Sequence, residues 1–300
     1  LGSIKNYTGV KVLEVNPEYI ATLYTTKEGS IDVTEINTPF YENEYVVLKC
    51  NDGTNGSVLT KVKNQRLIKL NTKNIERGQI GLKPRNKEQI MALDALLDDS
   101  IQVVALTGTA GAGKSLLAIA AALHKQETGQ YNKIILTRPM SQVGQKDTIG
   151  FLPGEVNDKF TPFLSNYFDN FEHLVPDRMR SSSDGYEFIL KRYNIECKPL
   201  ALIRGASWCN AFIIADEVQA LTSFEMLTLG TRTSEGSKLV LLGDLKQIDG
   251  YLRMRDSGLF KFINNEQVQH SNIAASIHML KSERGPVSTL FSSVFEEPDE

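Results

Sequence analysis

Gly108-Thr109-Ala110-Gly111-Ala112-Gly113-Lys114-Ser115 satisfies the spacing G-x-x-x-x-G-K-[ST] at every constrained position. The residue types suit a triphosphate. Glycines let the backbone curl with its N–H groups facing an anion, and the positive end of a following helix adds to the attraction. Lys114 supplies a point charge for the β- and γ-phosphates, and the Ser115 hydroxyl is a hard oxygen ligand for magnesium. The run Gly108, Thr109, Ala110, Gly111, Ala112, Gly113, Lys114, Ser115 and Leu116 is therefore the expected cradle for ATP and Mg2+. An ordinary glycine-rich strand-to-helix turn is the bland alternative, and it leaves the Lys-Ser pair unexplained.

Such a loop needs an acid on the metal at the end of another buried strand. Phe212-Ile213-Ile214-Ala215-Asp216-Glu217 supplies one. Asp216 is expected to hold magnesium through water, and Glu217 to polarise the attacking water. A kinase needs no water-activating glutamate here, whereas a hydrolase does. The competing reading is an acidic pair that caps the next helix. Leu241-Leu242-Gly243-Asp244-Leu245-Lys246-Gln247 follows one more apolar run, and a loop amide such as Gln247 can reach the γ-phosphate and sense its presence.

The elements that must position these groups are legible in outline. From about residue 84, helical and strand patterns alternate: Gln89 to Leu97 carries helical apolar spacing, Ile101 to Leu106 is a short apolar run, and Ser115 to His124 continues as helix. Lys133 to Leu136, Ala211 to Ala215 and Lys238 to Leu242 read as solid apolar strands. The pattern predicts an α/β fold with a parallel sheet covered by helices on both faces. Pro176 to Lys198 reads as a surface insertion. The first eighty residues are β-rich, with strand-length runs at Val10 to Val15, Glu44 to Lys49, Ser57 to Val62 and Arg66 to Leu70, and turn signals at Asp52-Gly53 and Asn55-Gly56. They predict a small barrel-like unit over 1–80, followed by the nucleotide-binding domain over 81–300.

The 300 residues, 41% of them hydrophobic and 23% charged, fit a globular chain of one large and one small domain. No apolar run approaches the roughly 20 residues that cross a bilayer, and no signal-peptide pattern opens the sequence. Cys50, Cys197 and Cys209 stand far apart, which points to reduced thiols and a cytoplasmic protein. Leu1-Gly2-Ser3 reads as a tag remnant ahead of a shortened chain. The net charge of -3 gives no global nucleic-acid signature. Locally, residues 60–87 carry Lys61, Lys63, Arg66, Lys69, Lys73, Arg77, Lys83, Arg85 and Lys87 against Glu76 alone. That stretch is either a solvated edge and linker or a phosphate-contacting surface.

In this order the motifs resemble the PhoH family, relatives of the superfamily 1 helicase core, from about Pro84 to the C-terminus. Pro84-Arg85-Asn86-x-x-Gln89, Thr137-Arg138-Pro139, Gly150-Phe151-Leu152-Pro153-Gly154, Ile203-Arg204-Gly205 and Ser282-Glu283-Arg284 look like the family's further motifs. The resemblance implies a RecA-like P-loop NTPase fold, with Gln89 reading the adenine edge and Arg284 as a closing, charge-stabilising arginine. The family's usual Asp-Glu-Ala-Gln-Asn run is here Asp216-Glu217-Val218-Gln219-Ala220, without the asparagine. The β-rich segment resembles the region that precedes the ATPase core in longer members, which carry a PIN ribonuclease domain further upstream. No PIN-like pattern lies within this sequence, so such a domain would belong to a removed N-terminal part.

These readings converge on Mg2+-dependent ATP hydrolysis coupled to single-stranded RNA, or DNA, with helicase-like translocation. Tyr131, Phe151 and Phe160 are aromatic candidates for base stacking. One ATPase lobe lacks the second lobe from which superfamily 1 enzymes take their arginine. The sequence reading therefore favours an arginine donated by a neighbouring subunit, in a homo-oligomer such as a hexameric ring, over Arg284 reaching its own site. A slow nucleotide-dependent switch that recruits a protein partner is the alternative; a P-loop kinase fits less well because of Glu217 and Gln247.

Overall fold

The structure is a computed structural model and describes residues 6–26, 29–78, 80–139, 167, 170, 171, 174, 186–203, 205, 207–248 and 252–295. Gly150 to Gly154, Phe160, Arg204 and the Leu1-Gly2-Ser3 opening lie outside the described residues.

The N-terminal part holds β1 (Val10–Val15), α1 (Pro17–Thr25), β2 (Ser30–Asp32), β3 (Tyr45–Cys50), β4 (Ser57–Lys63) and β5 (Arg66–Lys69). Its strands form one mixed sheet in the order β1-β3-β4-β5-β2, with β1 parallel to β3 and the other pairs antiparallel. The sheet is open in its pairing, since the edge strands β1 and β2 do not join. In β4 the buried positions alternate as Val58, Thr60 and Val62, the period of a strand with one covered face. Helix α1 starts where Asn16 caps the Glu18 N–H and Pro17 presets the first turn, and it packs Ile20 and Leu23 against this sheet.

After the short helix α2 (Lys73–Glu76), the second part begins with α3 (Lys87–Leu97), β6 (Val103–Gly108), α4 (Lys114–Glu127) and β7 (Lys133–Thr137). It continues through α5 (Tyr186–Arg192), β8 (Ile195–Cys197), β9 (Ala211–Ala215), α6 (Ser223–Arg232), β10 (Lys238–Gly243), α7 (Gly258–Ile263), α8 (Glu266–Gln269), β11 (Ala274–Met279) and α9 (Pro286–Phe295). Six of these strands make an all-parallel sheet in the order β11-β6-β10-β9-β7-β8. Alternate residues feed two cores. Leu106, Leu136, Phe212, Ile214, Val240 and Leu242 pack with α3 and α4 on one face; Ala105, Ile135, Ile213, Leu239 and Leu241 pack with α6 and α7 on the other. Every residue of β9 and β10 is consequently buried, which is why these strands read as unbroken apolar runs.

Three elements depart from the sequence reading. Part of the supposed surface insertion forms α5 and the edge strand β8, with Ile189 and Tyr193 buried against the core. Strand β11, for which the sequence carries no clean apolar run, is the opposite edge.

The two sheets are joined by packing and by charge. Tyr45 and Val47 enter the core that contains α3. The Tyr45 hydroxyl donates to Asp94 at 2.7 Å, and Lys61 pairs with both Asp94 and Asp98 at 2.8 Å. Lys63 reaches Asp98 at 3.4 Å. Burial works against the Lys61 charge, yet the two aspartates hold its pKa above the ordinary lysine value. Lys61 and Lys63 therefore bind protein carboxylates rather than forming part of a phosphate-contacting surface. The segment before β1 crosses the core edge: Thr8 O accepts from the His278 N–H at 2.8 Å, which covers part of the open side of β11.

Candidate nucleotide site

Strand β6 delivers the chain to Gly108 at the carboxyl edge of the parallel sheet, where ligands of open α/β folds bind. Gly108 has φ +126°, and a Cβ there would lie 1.9 Å from the carbonyl oxygen of Met279 on β11. Only glycine fits this point. The loop then turns through Gly113 in the left-handed region and enters α4 at Lys114. Lys114 Nζ donates to the carbonyls of Gly108 at 2.7 Å and Thr109 at 3.0 Å, so the ammonium is held across the loop. Burial lowers the Lys114 pKa, the charges of Asp244, Asp216 and Glu217 oppose that shift, and Arg284 adds to it.

Asp216 follows β9 directly, and its N–H donates to Thr137 O at 2.9 Å on the neighbouring strand. Its Oδ1 accepts from the Glu217 N–H at 2.9 Å and its Oδ2 from the Tyr167 hydroxyl at 3.1 Å. Burial and the adjacent Glu217 charge raise the Asp216 pKa; the Glu217 N–H, Tyr167 and Arg138 pull it back. Glu217 has φ +56°, uncommon for a residue with a side chain, and its Oε2 accepts from Gln219 Nε2 at 2.6 Å.

A cleft of about 370 Å³ opens between these loops, lined by Ala110, Gly111, Gly113, Lys114, Ser115, Leu116, Asn170, Asp216, Glu217, Gly243, Asp244 and Gln247. The sheet thus gathers Lys114, Ser115, Asp216, Glu217 and Gln247 around one space, although they span 134 positions of sequence from Lys114 to Gln247 counted inclusively. Gly108 and Ala112 lie behind that surface, and Ala112 is fully buried.

Gln89 is buried on the far side of the loop. Its Oε1 accepts from the Arg85 N–H at 2.9 Å and its Nε2 donates to Ala112 O at 3.2 Å. Each end of the amide makes one bond, so Gln89 braces the loop while a second N–H and a second oxygen lone pair stay unused. Arg284 lies over its own loop: a Cβ on Gly111 would be 2.4 Å from Arg284 Cγ. The Glu283 N–H donates to Gly111 O at 3.0 Å, Asn86 Nδ2 donates to Glu283 Oε1 at 2.8 Å, and Arg284 Nη1 donates to Ser292 Oγ of α9 at 2.9 Å. An arginine therefore reaches the loop from within the chain, whereas the sequence alone favours one donated by a neighbouring subunit. Tyr131 packs edge-on against Phe212 in the core and presents no ring for base stacking.

Tyr167, Asn170 and Asp244 were not singled out as site residues by the sequence. Tyr167 and Asn170 belong to no motif, and only the tertiary fold brings Tyr167 to Asp216 and Asn170 to the cleft. The donor set fits magnesium: one hydroxyl, Ser115, and one carboxylate, Asp216, are hard oxygens in number suited to an ion that completes its shell with phosphate and water. Among the described residues, the buried hydroxyls Thr109 Oγ1 in the loop and Thr137 Oγ1 beside Asp216 have no hydrogen-bond partner, so both are available to a polar ligand.

A glycine-rich loop ending in Lys-Ser at the carboxyl edge of a parallel sheet, faced by a strand-terminal Asp-Glu pair, defines a P-loop NTPase core. Residues 81–296 match the family model described as PhoH-like protein, and the chain belongs to that family. It is 35% identical over 286 residues to Protein PhoH2 of Bacillus subtilis, covering 95% of this chain and 63% of that protein. It is 32% identical to Protein PhoH2 of Mycolicibacterium smegmatis, covering 98% of this chain and 64% of that one, so the chain spans somewhat less than two thirds of these relatives. Among solved structures it is similar to a Sulfolobus solfataricus SWI2/SNF2 ATPase core in complex with dsDNA, at 16% identity and a TM-score of 0.39 over 68% of this chain and 39% of that one.

Proposed function

We propose that this chain hydrolyses ATP with Mg2+ and couples the cycle to single-stranded RNA, or less favourably DNA, in the cytoplasm. The observation that carries the reading is the meeting of Lys114, Ser115, Asp216, Glu217 and Gln247 in one cleft. The loop N–H groups and Lys114 would hold the β- and γ-phosphates. Ser115 and Asp216 would hold the metal, which when bound neutralises charge between those phosphates. Glu217 would orient and polarise the attacking water, and Gln247 would contact the γ-phosphate from the opposite lip. Arg284, already over Gly111, is suited to meet charge developing on the transferred group, with Ser292 fixing its orientation. Gln89 would brace the loop and read the adenine edge with the amide N–H and oxygen lone pair that its bonds to Ala112 and Arg85 leave unused.

RNA coupling is supported by family membership and by the loop that follows β10, which lines the cleft through Gly243, Asp244 and Gln247 and would respond to the γ-phosphate. A homo-oligomer is proposed on the apolar face of α9, where Val287, Leu290, Phe291, Val294 and Phe295 are all exposed. Further upstream segments, a PIN nuclease among them, are part of the proposal for the longer protein. Among the described residues no helix is long and apolar enough to cross a membrane.

The test is magnesium-dependent ATP hydrolysis with and without single-stranded RNA, for the chain and for Glu217→Gln. Hydrolysis that rises with RNA and drops about 100-fold or more in the variant, with nucleotide binding retained, is the expected result. Hydrolysis indifferent to RNA and DNA would remove the nucleic-acid half of the proposal; nucleotide binding without turnover would replace it with a switch.

A further inference from the structure

We propose that Gln219 is a positioning residue that ties the water-polarising carboxylate to the phosphate-sensing loop. The inference rests on the ATPase reading above and assigns a role to a side chain outside the cleft lining.

Gln219 is 3% exposed and sits in the single turn Val218–Ala220 that follows Glu217. Its amide is used at both ends, each toward a different motif. Nε2 donates to Glu217 Oε2 at 2.6 Å, a short bond to a carboxylate oxygen. Oε1 accepts from the Asp244 N–H at 3.3 Å, the first backbone donor after β10. Flipping the amide would set its oxygen against the carboxylate and its NH2 against the Asp244 N–H, two repulsive contacts, so the orientation is fixed by its neighbours. The main chain is anchored as well: the fully buried Ser257 hydroxyl donates to Gln219 O at 3.0 Å. Gly243 closes the remaining space, since a Cβ there would come within 2.9 Å of Gln219 Oε1.

Asp244 in turn sets the loop. The Gln247 N–H donates to Asp244 O at 3.0 Å and the Lys246 N–H to Asp244 Oδ1 at 3.0 Å. A continuous chain therefore runs from Glu217 through the Gln219 amide to Asp244 and on to Gln247. Movement of Gln247 toward or away from a γ-phosphate would pull on the Asp244 N–H, and through Gln219 on Oε2 of Glu217. Holding one carboxylate oxygen leaves the other in a fixed place to accept from water. The device ensures that Glu217 is correctly oriented only when the loop from Gly243 to Gln247 is in its triphosphate position.

The experiment uses the full chain and three variants: Gln219→Leu, Gln219→Glu and Glu217→Gln/Gln219→Leu. Gln219→Glu keeps the packing and the acceptor for Asp244 but ends the amide's donation and sets a second carboxyl against Glu217, so that like charges or a shared proton burden the water-polarising carboxylate. Both single variants are expected to lose about 10- to 100-fold in kcat, with KM and the affinity for a non-hydrolysable ATP analogue changed less than about threefold. The double variant should be no slower than Glu217→Gln alone, because the two residues act as one unit. The analogue should slow hydrogen exchange of the 244–247 amides in the parent and in Gln219→Glu, and fail to do so in Gln219→Leu. Unchanged kcat and unchanged exchange would overturn the proposal. So would a loss of kcat matched by equal losses of nucleotide affinity and melting temperature, which marks a merely structural residue. A parent chain that binds the analogue without hydrolysing ATP would sink the ATPase reading, and the exchange result would then decide the coupling by itself.

Discussion

Glu217 holds a backbone φ of +56°, a conformation that costs a residue with a side chain about 1–2 kcal/mol and glycine far less. Its neighbour Asp216 adds a like charge at the same strand end. Such strain persists where surrounding contacts enforce it and where the side chain has a use. Glu217→Gly is therefore expected to unfold at a temperature equal to or above that of Glu217→Ala, by roughly 1 kcal/mol of stability, while both lose hydrolysis. Paired thermal melts and ATPase assays check this; a glycine variant less stable than the alanine one would mean the backbone is not strained. Tyr167 offers a second test at this scale. Its buried hydroxyl donates to Asp216 Oδ2 and opposes the upward push of burial on that carboxyl. Tyr167→Phe removes the opposition, so the Asp216 pKa rises further and the metal finds less carboxylate at low pH. The acid limb of the hydrolysis profile should move to higher pH and kcat/KM at neutral pH should fall about 10-fold, as for other groups that orient a ligand. A profile superimposable on the parent's would show that Tyr167 only packs.

Strands β6 and β11 meet register to register through His278 opposite Thr107 and Met279 opposite Gly108, so the phosphate loop starts against the backbone of the sheet's edge strand. Gly108→Ala must displace either β11 or the loop itself, and its φ of +126° suits glycine alone. We expect a loss of several kcal/mol, or failure to fold, beyond the cost of ordinary overpacking; denaturant unfolding measures it, and a variant within 1 kcal/mol of the parent would contradict the close approach. The same pair shows what sequence can and cannot carry. The central strands were readable because burial on two faces leaves no polar position in Ala211–Ala215 or in most of Lys238–Gly243. Strand β11 was not, because Ser276 and His278 break its apolar run, and the His278 ring meets Thr107 Oγ1, 171 positions away, at 2.8 Å. Strand β8 has three residues, too few for any period. At the site, Gly108 to Ser115, Asp216, Glu217 and Gln247 were legible because phosphate and metal chemistry dictates residue type at short spacing. Tyr167 and Asn170 were not, since their place depends on long-range packing. The arginine was legible as a residue, but its reach to its own loop depends on the strap from Leu280 to Arg284. That strap is held where Glu88 accepts the Leu280 and Lys281 N–H groups at 3.0 and 2.7 Å.

The N-terminal sheet and the nucleotide-binding sheet meet at the end of α3, and a buried lysine sits under the junction. Lys238, 1% exposed at the start of β10, donates to the carbonyls of Ala95 and Asp98 at 2.8 Å each. It thereby caps the helix whose Asp94 and Asp98 side chains receive Lys61 from the N-terminal sheet. Burial pulls the Lys238 pKa down to about 7, against the opposing pull of Asp98 and Asp99. In the unfolded chain the same lysine titrates near an ordinary value of about 10.4. Between those two values the unfolded chain holds a proton that the folded chain has released, so stability rises with pH across this window and is flat with respect to Lys238 below it. Each pH unit in the window is worth at most about 1.4 kcal/mol. Lys238→Met lacks the titration and keeps most of the volume. The difference in unfolding free energy between parent and variant should therefore shift in the parent's favour by on the order of 1–3 kcal/mol from pH 7 to pH 9, while all other titrating groups cancel. Urea unfolding of both proteins at pH 6, 7, 8 and 9 reads that difference. A constant offset would mean that Lys238 keeps its proton throughout, held by the two carbonyls and the aspartates. The junction would then be a fully ionised network in which burial is outweighed by hydrogen bonding.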